Sequence, residues 1–570
     1  MSIFPLSPNT GKPNAPMSEK DVEVASKSDC FAQVEEVPGH HTGLEGTLRD
    51  ESDDTGVVRA LKSRHIQLIG IGSAVGIGLF IGSARSLIYA GPLGSLLGYT
   101  LFGFILWGVC LCAGEMAAFM PIRGGHLAWA HMYLDPAASF AIGWNYIYAC
   151  LMFGCADIIA VCGLMEYWLP DVNVAAWIVM TLAIVTVLNV FHVKFFGESE
   201  FYFASLKVLL IIGLLMMTFI VMLGGNPKHD RIGFRYWKNP GLFAEYHSKG
   251  AMGRFLGFFQ VFKIAAFSMG GPDTMAMCAA EAVQPRKVLP RAVKAIVFRL
   301  AVFFVLGAVA IGVLVPYNDP FLIESVETGV GANASAYVVG MKRLGIKVLP
   351  HIFNAVCVTS AASCTNGFVY LSMRILQSMA LRGEAPKFFA KTNKHGVPLN
   401  CFYFVFAVLC LSFMQLSNNG ATVFGWFIDL SSVATMINYA AMGILGIRFH
   451  AGLKKQGFNS KTFLPWRTRY TVPWAYCSVF FLVIITLFQG WEVFTKGGWD
   501  LRSFFTCYFG LAFFAICFIF WKIRYKTKAV RLEDMDFTSR LQEFDDLDAY
   551  YKENPPVSTS LWNKFLDKIF

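Results

Sequence analysis

Residues 69–82 read IGIGSAVGIGLFIG and lie at the middle of the first long apolar run, Ile66 to Tyr89. Glycine leaves helical geometry at the lowest cost of any residue, so a membrane helix this rich in glycine at mid-depth tends to open its backbone. A second run, Phe255 to Ala282, carries a comparable interruption, FSMGGPD at residues 267–273. There Pro272 has no amide hydrogen to give and crowds the preceding turn. Two broken spans at corresponding places in two halves of a chain point to the substrate site of a transporter.

Outward from these breaks, apolar runs recur at about 66–89, 94–119, 137–166, 174–192, 201–223, 255–282, 293–316, 348–380, 400–417, 421–447, 472–490 and 503–523, which predicts twelve spans. The third and eighth exceed the ~20 residues that an upright helix needs to cross the hydrocarbon, so both are expected to tilt. Of the 570 residues, 55% are hydrophobic and 15% charged, a composition outside the soluble range. The formal charge of +10 sits in short loops rather than in one stripe, which argues against a nucleic-acid partner and for a topology signal. The 14 cysteines fall mostly inside apolar runs (Cys110, Cys112, Cys155, Cys162, Cys357, Cys364, Cys410), without metal-ligand spacing or a disulfide framework.

Orientation follows the basic residues. A cytosolic N-terminus puts Arg59, Lys62 and Arg64 inside, together with Arg286, Lys287, Arg291 and Lys294 after the sixth run. Lys387, Lys391 and Lys394, and then Lys454, Lys455, Lys461, Arg467 and Arg469, fall on the same side, and both tails become cytosolic. The outer segment Gly224–Arg254 is basic against this trend, but it is the longest outer loop, where the rule is weakest. The sequon Asn333-Ala-Ser335 also faces outward in this arrangement. Residues 1–63 and 526–570 read as disordered cytosolic tails, the first mixing Pro, Ser, Asp and Glu without periodicity, the second acidic after Val530 before a short amphipathic end, LWNKFLDKIF. The expected architecture is therefore an N-terminal tail, a transporter domain over 64–525 and a C-terminal tail whose lysines are available to ubiquitination and trafficking machinery.

Several segments together resemble the fungal amino-acid permeases of the amino acid–polyamine–organocation superfamily. They are HIQLIGIGSAVGIGLFIGSARSLIYAGPLGSLLGY from His65, CAGEMAAFMPIRGG at Cys112–Gly125, DPAASFAIGWNYIY at Asp135–Tyr148, FGESEFYFASLKV at Phe196–Val208, AAFSMGGPD…AAEAVQPRKVLPRA in the sixth run, and LPWRTRYTVPW at Leu464–Trp474. The likeness runs in order from about His65 to Arg524. It implies an all-α integral membrane protein with twelve transmembrane helices in the five-plus-five inverted repeat of the bacterial leucine transporter, the first and sixth discontinuous. It also implies proton-coupled uptake of amino acids at the plasma membrane, with the proton as coupling ion and no cofactor. Two departures stand out. Members usually have Gly-Thr-Gly where this chain has Gly76-Ile77-Gly78, and Gly-Thr-Glu where it has Gly271-Pro272-Asp273. Main-chain contacts survive both changes, while the pocket's size and polarity do not.

An amino-acid zwitterion needs one partner for its carboxylate and another for its ammonium. Amides around Gly76, Ile77 and Gly78, at the start of the first span's outer half, face an anion with a favourable dipole. Carbonyls near Phe267, Ser268 and Gly270 suit the ammonium. Close helix packing through small residues is the other reading of these glycines.

Ionisable residues inside apolar runs are functional candidates, because a central charge costs ~2.5–3.5 kcal/mol on insertion scales. Lys207 matches the position where proton-coupled relatives use a lysine in place of a sodium ion; the alternative is a lysine snorkelling to the interface. Glu115 is a second proton-coupling candidate, and also reads as an inner-gate or structural carboxylate. Asp157, where relatives often have Glu, and Asp429, in WFIDLSS, either face the substrate, move a proton or bond to a neighbouring helix. Lys263 shares a helix face with Phe267, the position of an aromatic lid in relatives, and with Asp273 bears on specificity. Lys263 favours anionic substrates and the aspartates favour cationic ones, so charge preference stays open; an ion pair between Lys263 and an aspartate is the silent alternative.

Two other classes compete with a transporter. A sensor with the same fold would bind amino acids without moving them. A membrane enzyme finds weak support: His131-Met-Tyr-Leu-Asp135 superficially matches an acyltransferase pattern, but Asp135 sits where a helix N-cap belongs.

Overall fold

Pro272, the residue that marks the second break in the sequence, opens a new helix in the structure. In the computed structural model, which describes residues 76–190, 193–393 and 397–553, the chain is helical nearly throughout, with no β-strand among the described residues. These residues all fall within the unit Ser52–Phe570; the unit Met1–Glu51, and with it most of the predicted N-terminal tail, lies outside them.

The first apolar run is described from Gly76 onward, so its inner half, including Gly70 and Gly72, is outside the described residues. A π-helical turn, Gly78–Gly82, leads into α1, Ser83–Phe119. This helix holds the outer part of the first predicted run and all of the second, folded where Gly91 (φ 73°) precedes Pro92. The outer segment seats on that bend, with Leu93 N donating to Leu242 O at 3.0 Å and Ala244 N to Ala90 O at 3.2 Å. A short helix α2, Gly125–Tyr133, then leads to α3, Pro136–Glu166. Asp135 caps α3 as expected, accepting from Ala137 N at 2.8 Å.

After α4, Val174–Val190, and α5, Val193–Met222, the outer segment returns to α6, Gly250–Ser268. Here the helix stops. Met269 (φ −102°, ψ 93°) is extended, and Gly271 takes φ 136°, a region that L side chains rarely enter. Pro272 then starts α7, Pro272–Cys278, at the first helical position, where its missing N–H costs nothing. The predicted sixth-span break is thus observed.

Helices α8, Pro285–Leu300, and α9, Leu306–Leu314, are joined by a second π turn at Ala301–Val305. They are followed by α10, Leu349–Leu381, α11, Leu399–Leu409, α12, Gly420–Lys455, α13, Thr471–Phe488, and α14, Leu501–Tyr525. By length and apolarity eight helical stretches among the described residues qualify as membrane-crossing, one of them the folded Gly78–Phe119, and two shorter apolar helices accompany them. The two longest predicted runs, α3 (31 residues) and α10 (33 residues), pack against each other, as third and eighth elements of an inverted repeat should. Polar side chains join helices where carbonyls would otherwise face apolar surroundings: Asn354 Nδ2 donates to Leu164 O (2.8 Å), Asn145 Nδ2 to Ala434 O and Asn438 Oδ1 (both 2.9 Å), and Asn189 Nδ2 to Asn366 Oδ1 (2.6 Å). The sequon is engaged too, since Ser335 Oγ is buried and donates to Phe80 O at 2.7 Å.

The C-terminal tail departs from expectation. Over the described residues 526–553 it is docked rather than disordered, and it ends in α15, Leu541–Glu553. Phe537, 1% exposed, stacks on Tyr133 and meets Phe119, Phe449 and Phe458. Gln456 Nε2 donates to the carbonyls of Leu532, Glu533 and Met535, Val530 N to Leu134 O, and Arg286 pairs with Asp545 at 2.5 Å. Composition misread the segment because a few anchors, Met535, Phe537 and Phe544, bury themselves in an otherwise acidic stretch. Removing a buried Phe ring typically costs ~3–5 kcal/mol, more than so small a docked element can lose. Phe537→Ala is therefore expected to release this segment to trypsin at Lys526 and Lys528 under conditions where the parent resists and the helix bundle stays intact. Equal cleavage rates would show the docking to be marginal already.

Candidate functional site

At the end of α6 the main chain runs out of donors. Ser268 O has no partner four residues on, because that residue is Pro272 and carries no N–H. The corresponding donor for Phe267 O, Gly271 N, turns instead to Asp273 Oδ1 at 3.4 Å. Met269 O is taken by the Tyr439 hydroxyl at 3.3 Å. The carbonyls of Phe267 and Ser268 thus lose their usual helical donors. The first span touches the sixth-span break: a Cβ added at Gly78 would lie 2.5 Å from Ser268 Oγ and 2.8 Å from its Cα.

A cavity lies between Gly76–Gly78 of the first span and the break at the end of α6. Gly76–Gly78, Ala266–Ser268 and Gly270 form part of its wall. α3 contributes Phe153 and Asp157, α7 Asp273 and Thr274, α10 Cys364 and Phe368, and α12 Thr435 and Tyr439. Phe153 stacks on Phe368 (ring centroids 4.9 Å apart, planes at 10°) and on Phe267 (5.3 Å, 25°). Phe267 meets Phe424 edge-on at 5.9 Å, and the Arg85 guanidinium lies 5.6 Å over that ring while donating to Ala421 O at 3.1 Å. The outer half of the first span is thereby tied to α12 across the aromatic lid.

Eight of the predicted site residues meet at this cavity: Gly76, Ile77, Gly78, Asp157, Phe267, Ser268, Gly270 and Asp273. Asp429 is not among its lining residues and neither is Lys263. They form an ion pair with each other at 2.7 Å, with Cys507 Sγ 3.7 Å from Asp429. Neither Asp429 nor Lys263, expected at the substrate, is thus brought to this cavity. Two charges within a low-dielectric bundle lower their cost by pairing, and here the silent alternative is what the helices build.

Lys207 is fully buried rather than reaching an interface, and its Nζ lies 3.2 Å from Cys364 Sγ. Since Cys364 lines the cavity, the ammonium stands one layer behind the wall. Glu115 lies apart from the cavity. It is buried, accepts from Thr468 N (2.7 Å) and Thr471 Oγ1 (2.5 Å), and pairs with His450 Nε2 at 2.7 Å, which makes it a fastening between α1, α12 and the chain entering α13. Sequence reasoning missed Phe153, Phe368, Cys364, Thr435, Tyr439 and Arg85. One signal was available, because Phe153 lies four residues before Asp157 and so on the same helix face. None of the described cysteines is disulfide-bonded, and no cluster of metal-ligating side chains occurs among the described residues.

Comparison with known proteins agrees with this geometry. A family model described as "Amino acid permease" matches residues 65–533. A dicarboxylic amino acid permease of Saccharomyces cerevisiae is 35% identical over 556 residues, 93% of this chain and 90% of that protein. A proline-specific permease of Emericella nidulans is 38% identical over 508 residues (88% and 92%), and a lysine-specific permease of Saccharomyces cerevisiae 36% over 534 (93% and 86%). Among solved structures, two of a manganese transporter from Eremococcus coleocola superpose with TM-scores of 0.50 and 0.52 at 12% and 13% identity, covering 81% of this chain and 94% of that one. They share the fold, that of the leucine-transporter type.

Proposed function

We propose that this chain, which belongs to the amino acid permease family, is a proton-coupled symporter that carries amino acids into the cell by alternating access. The observation that carries the reading is one cavity shared by the interrupted sixth span and the glycines Gly76 and Gly78 of the first. Amides of Gly76–Gly78 hold the α-carboxylate at a helix start, and the carbonyls of Phe267 and Ser268 hold the α-ammonium. Both contacts are made by main chain, so they select the amino-acid class before any side chain is considered. Lys207, buried behind Cys364, is the group whose charge state couples proton entry to the cavity. In this reading both tails lie in the cytosol, which the basic loops support, and the chain resides in the plasma membrane.

The driving force suffices. A proton crossing ~100 mV brings ~2.3 kcal/mol, and each unit of pH gradient adds ~1.36 kcal/mol. The test is uptake of a labelled amino-acid mixture by proteoliposomes with an acidic exterior. Accumulation above the outside concentration that collapses with a protonophore is expected. Saturable binding without accumulation would identify a sensor instead.

A further inference from the structure

The sequence sets Lys263 against Asp157 and Asp429 and leaves charge preference undecided. The structure separates them. Lys263 and Asp429 neutralise each other outside the cavity, at 2.7 Å. Within the lining stand two carboxylates, Asp157 and Asp273, and no Lys, Arg or His among the described residues.

The two carboxylates differ in what already holds them. Asp273 lies in the first turn of α7, where the dipole favours an anion, and accepts from Gly271 N. Asp157 is 4% exposed, and its Oδ2 has no hydrogen-bond partner. The nearby ammonium, that of Lys207, bonds to Cys364 Sγ behind the wall. A buried carboxylate oxygen left without a donor is costly, and a ligand that brings an N–H group relieves that cost. One turn along α3, the Phe153 ring continues the wall with Phe267 and Phe368 on either side. Those aromatic faces accept a methylene stem, and their ring electrons attract a cation.

We propose that the cavity selects amino acids with a cationic side chain, of the lysine, ornithine or arginine type, with Asp157 pairing the side-chain ammonium or guanidinium. Dicarboxylic amino acids are excluded, because a second carboxylate would enter a lining that already carries two. This rests on the amino-acid transport reading above and adds the substrate class to it.

The test is competition against labelled lysine, norleucine and glutamate in proteoliposomes. Norleucine is lysine without its terminal amino group, so the pair isolates the proposed contact. The parent is expected to prefer lysine to norleucine by at least about thirtyfold in KM, as for a buried charge pair, and glutamate is expected not to compete. Asp157→Asn is expected to collapse the lysine preference, and Asp157→Glu to keep it in part, which separates lost charge from lost fold. The Lys263→Met/Asp429→Leu double variant is expected to leave the ranking as it was. A parent that accumulates norleucine or glutamate as readily as lysine overturns the proposal while leaving amino-acid transport standing. An Asp157→Asn variant that weakens lysine and norleucine equally also overturns it, placing Asp157 at the α-ammonium or on the proton path. A parent that accumulates no amino acid overturns the transport reading itself.

Discussion

Gly78→Ala is expected to reduce uptake by about a hundredfold or more while the protein still reaches the membrane folded. The added methyl would lie 2.5 Å from Ser268 Oγ and 2.8 Å from Ser268 Cα and Cβ. A side-chain tip can rotate away, but the Cα belongs to the last residue of α6, at the edge of the break. The two interrupted segments must separate by several tenths of an ångström at the point where they jointly hold the substrate's charged groups. Misplacement on the order of 1 Å at a binding constellation costs ~10²-fold. Neighbouring glycines supply the controls. At Gly76 the nearest atom to an added Cβ is Cys364 Sγ at 3.3 Å, so Gly76→Ala should be milder; at Gly82 it is Ile264 Cγ2 at 3.6 Å, an ordinary contact, so Gly82→Ala should be tolerated. Uptake rates normalised to folded protein, from fluorescence-detected size exclusion, test the ranking. Near-normal uptake by Gly78→Ala would mean that this contact is not part of the transport site.

That contact also shows what a sequence makes legible. The sixth-span break follows from three consecutive residues, Gly270, Gly271 and Pro272, whose backbone chemistry is local, and the structure breaks the helix there. Asp135 as an N-cap is equally local. The pairing of Lys263 with Asp429 is not, because it depends on how α6 and α12 are rotated about their axes, which no local pattern fixes. The aromatic wall is hidden for the same reason: Phe153, Phe267 and Phe368 come from three helices far apart in the chain, and each alone reads as ordinary apolar surface. The docked tail was hidden differently. Its anchors are too few to raise the average hydrophobicity, yet Phe537 finds a pocket already furnished by Tyr133, Phe449 and Phe119. Periodicity and composition report elements; rotation about each element and isolated anchors decide the site.

Lys207→Met should abolish proton-driven accumulation without unfolding the protein. The ammonium is fully buried and bonds to Cys364 Sγ at 3.2 Å, one layer from the cavity. Methionine nearly fills the same volume with no charge to desolvate, and folding is read separately by size exclusion. Loss of function is thereby told apart from loss of fold. With one proton carried per neutral solute, an inward gradient of one pH unit supports about tenfold accumulation. The variant is expected to reach an inside-to-outside ratio near one and to lose its response to external pH, while exchange of labelled for unlabelled substrate persists at equal pH on both sides. Exchange needs only the main-chain contacts at the two breaks, whereas accumulation needs a group that changes charge between the two faces. Lys207→Arg keeps the charge but replaces a compact ammonium with a rigid planar fork at a fully buried position, so it should recover little. If Lys207→Met accumulates substrate tenfold under the same gradient, the coupling charge lies elsewhere, and the carboxylates that line the cavity, Asp157 and Asp273, become the groups to remove next.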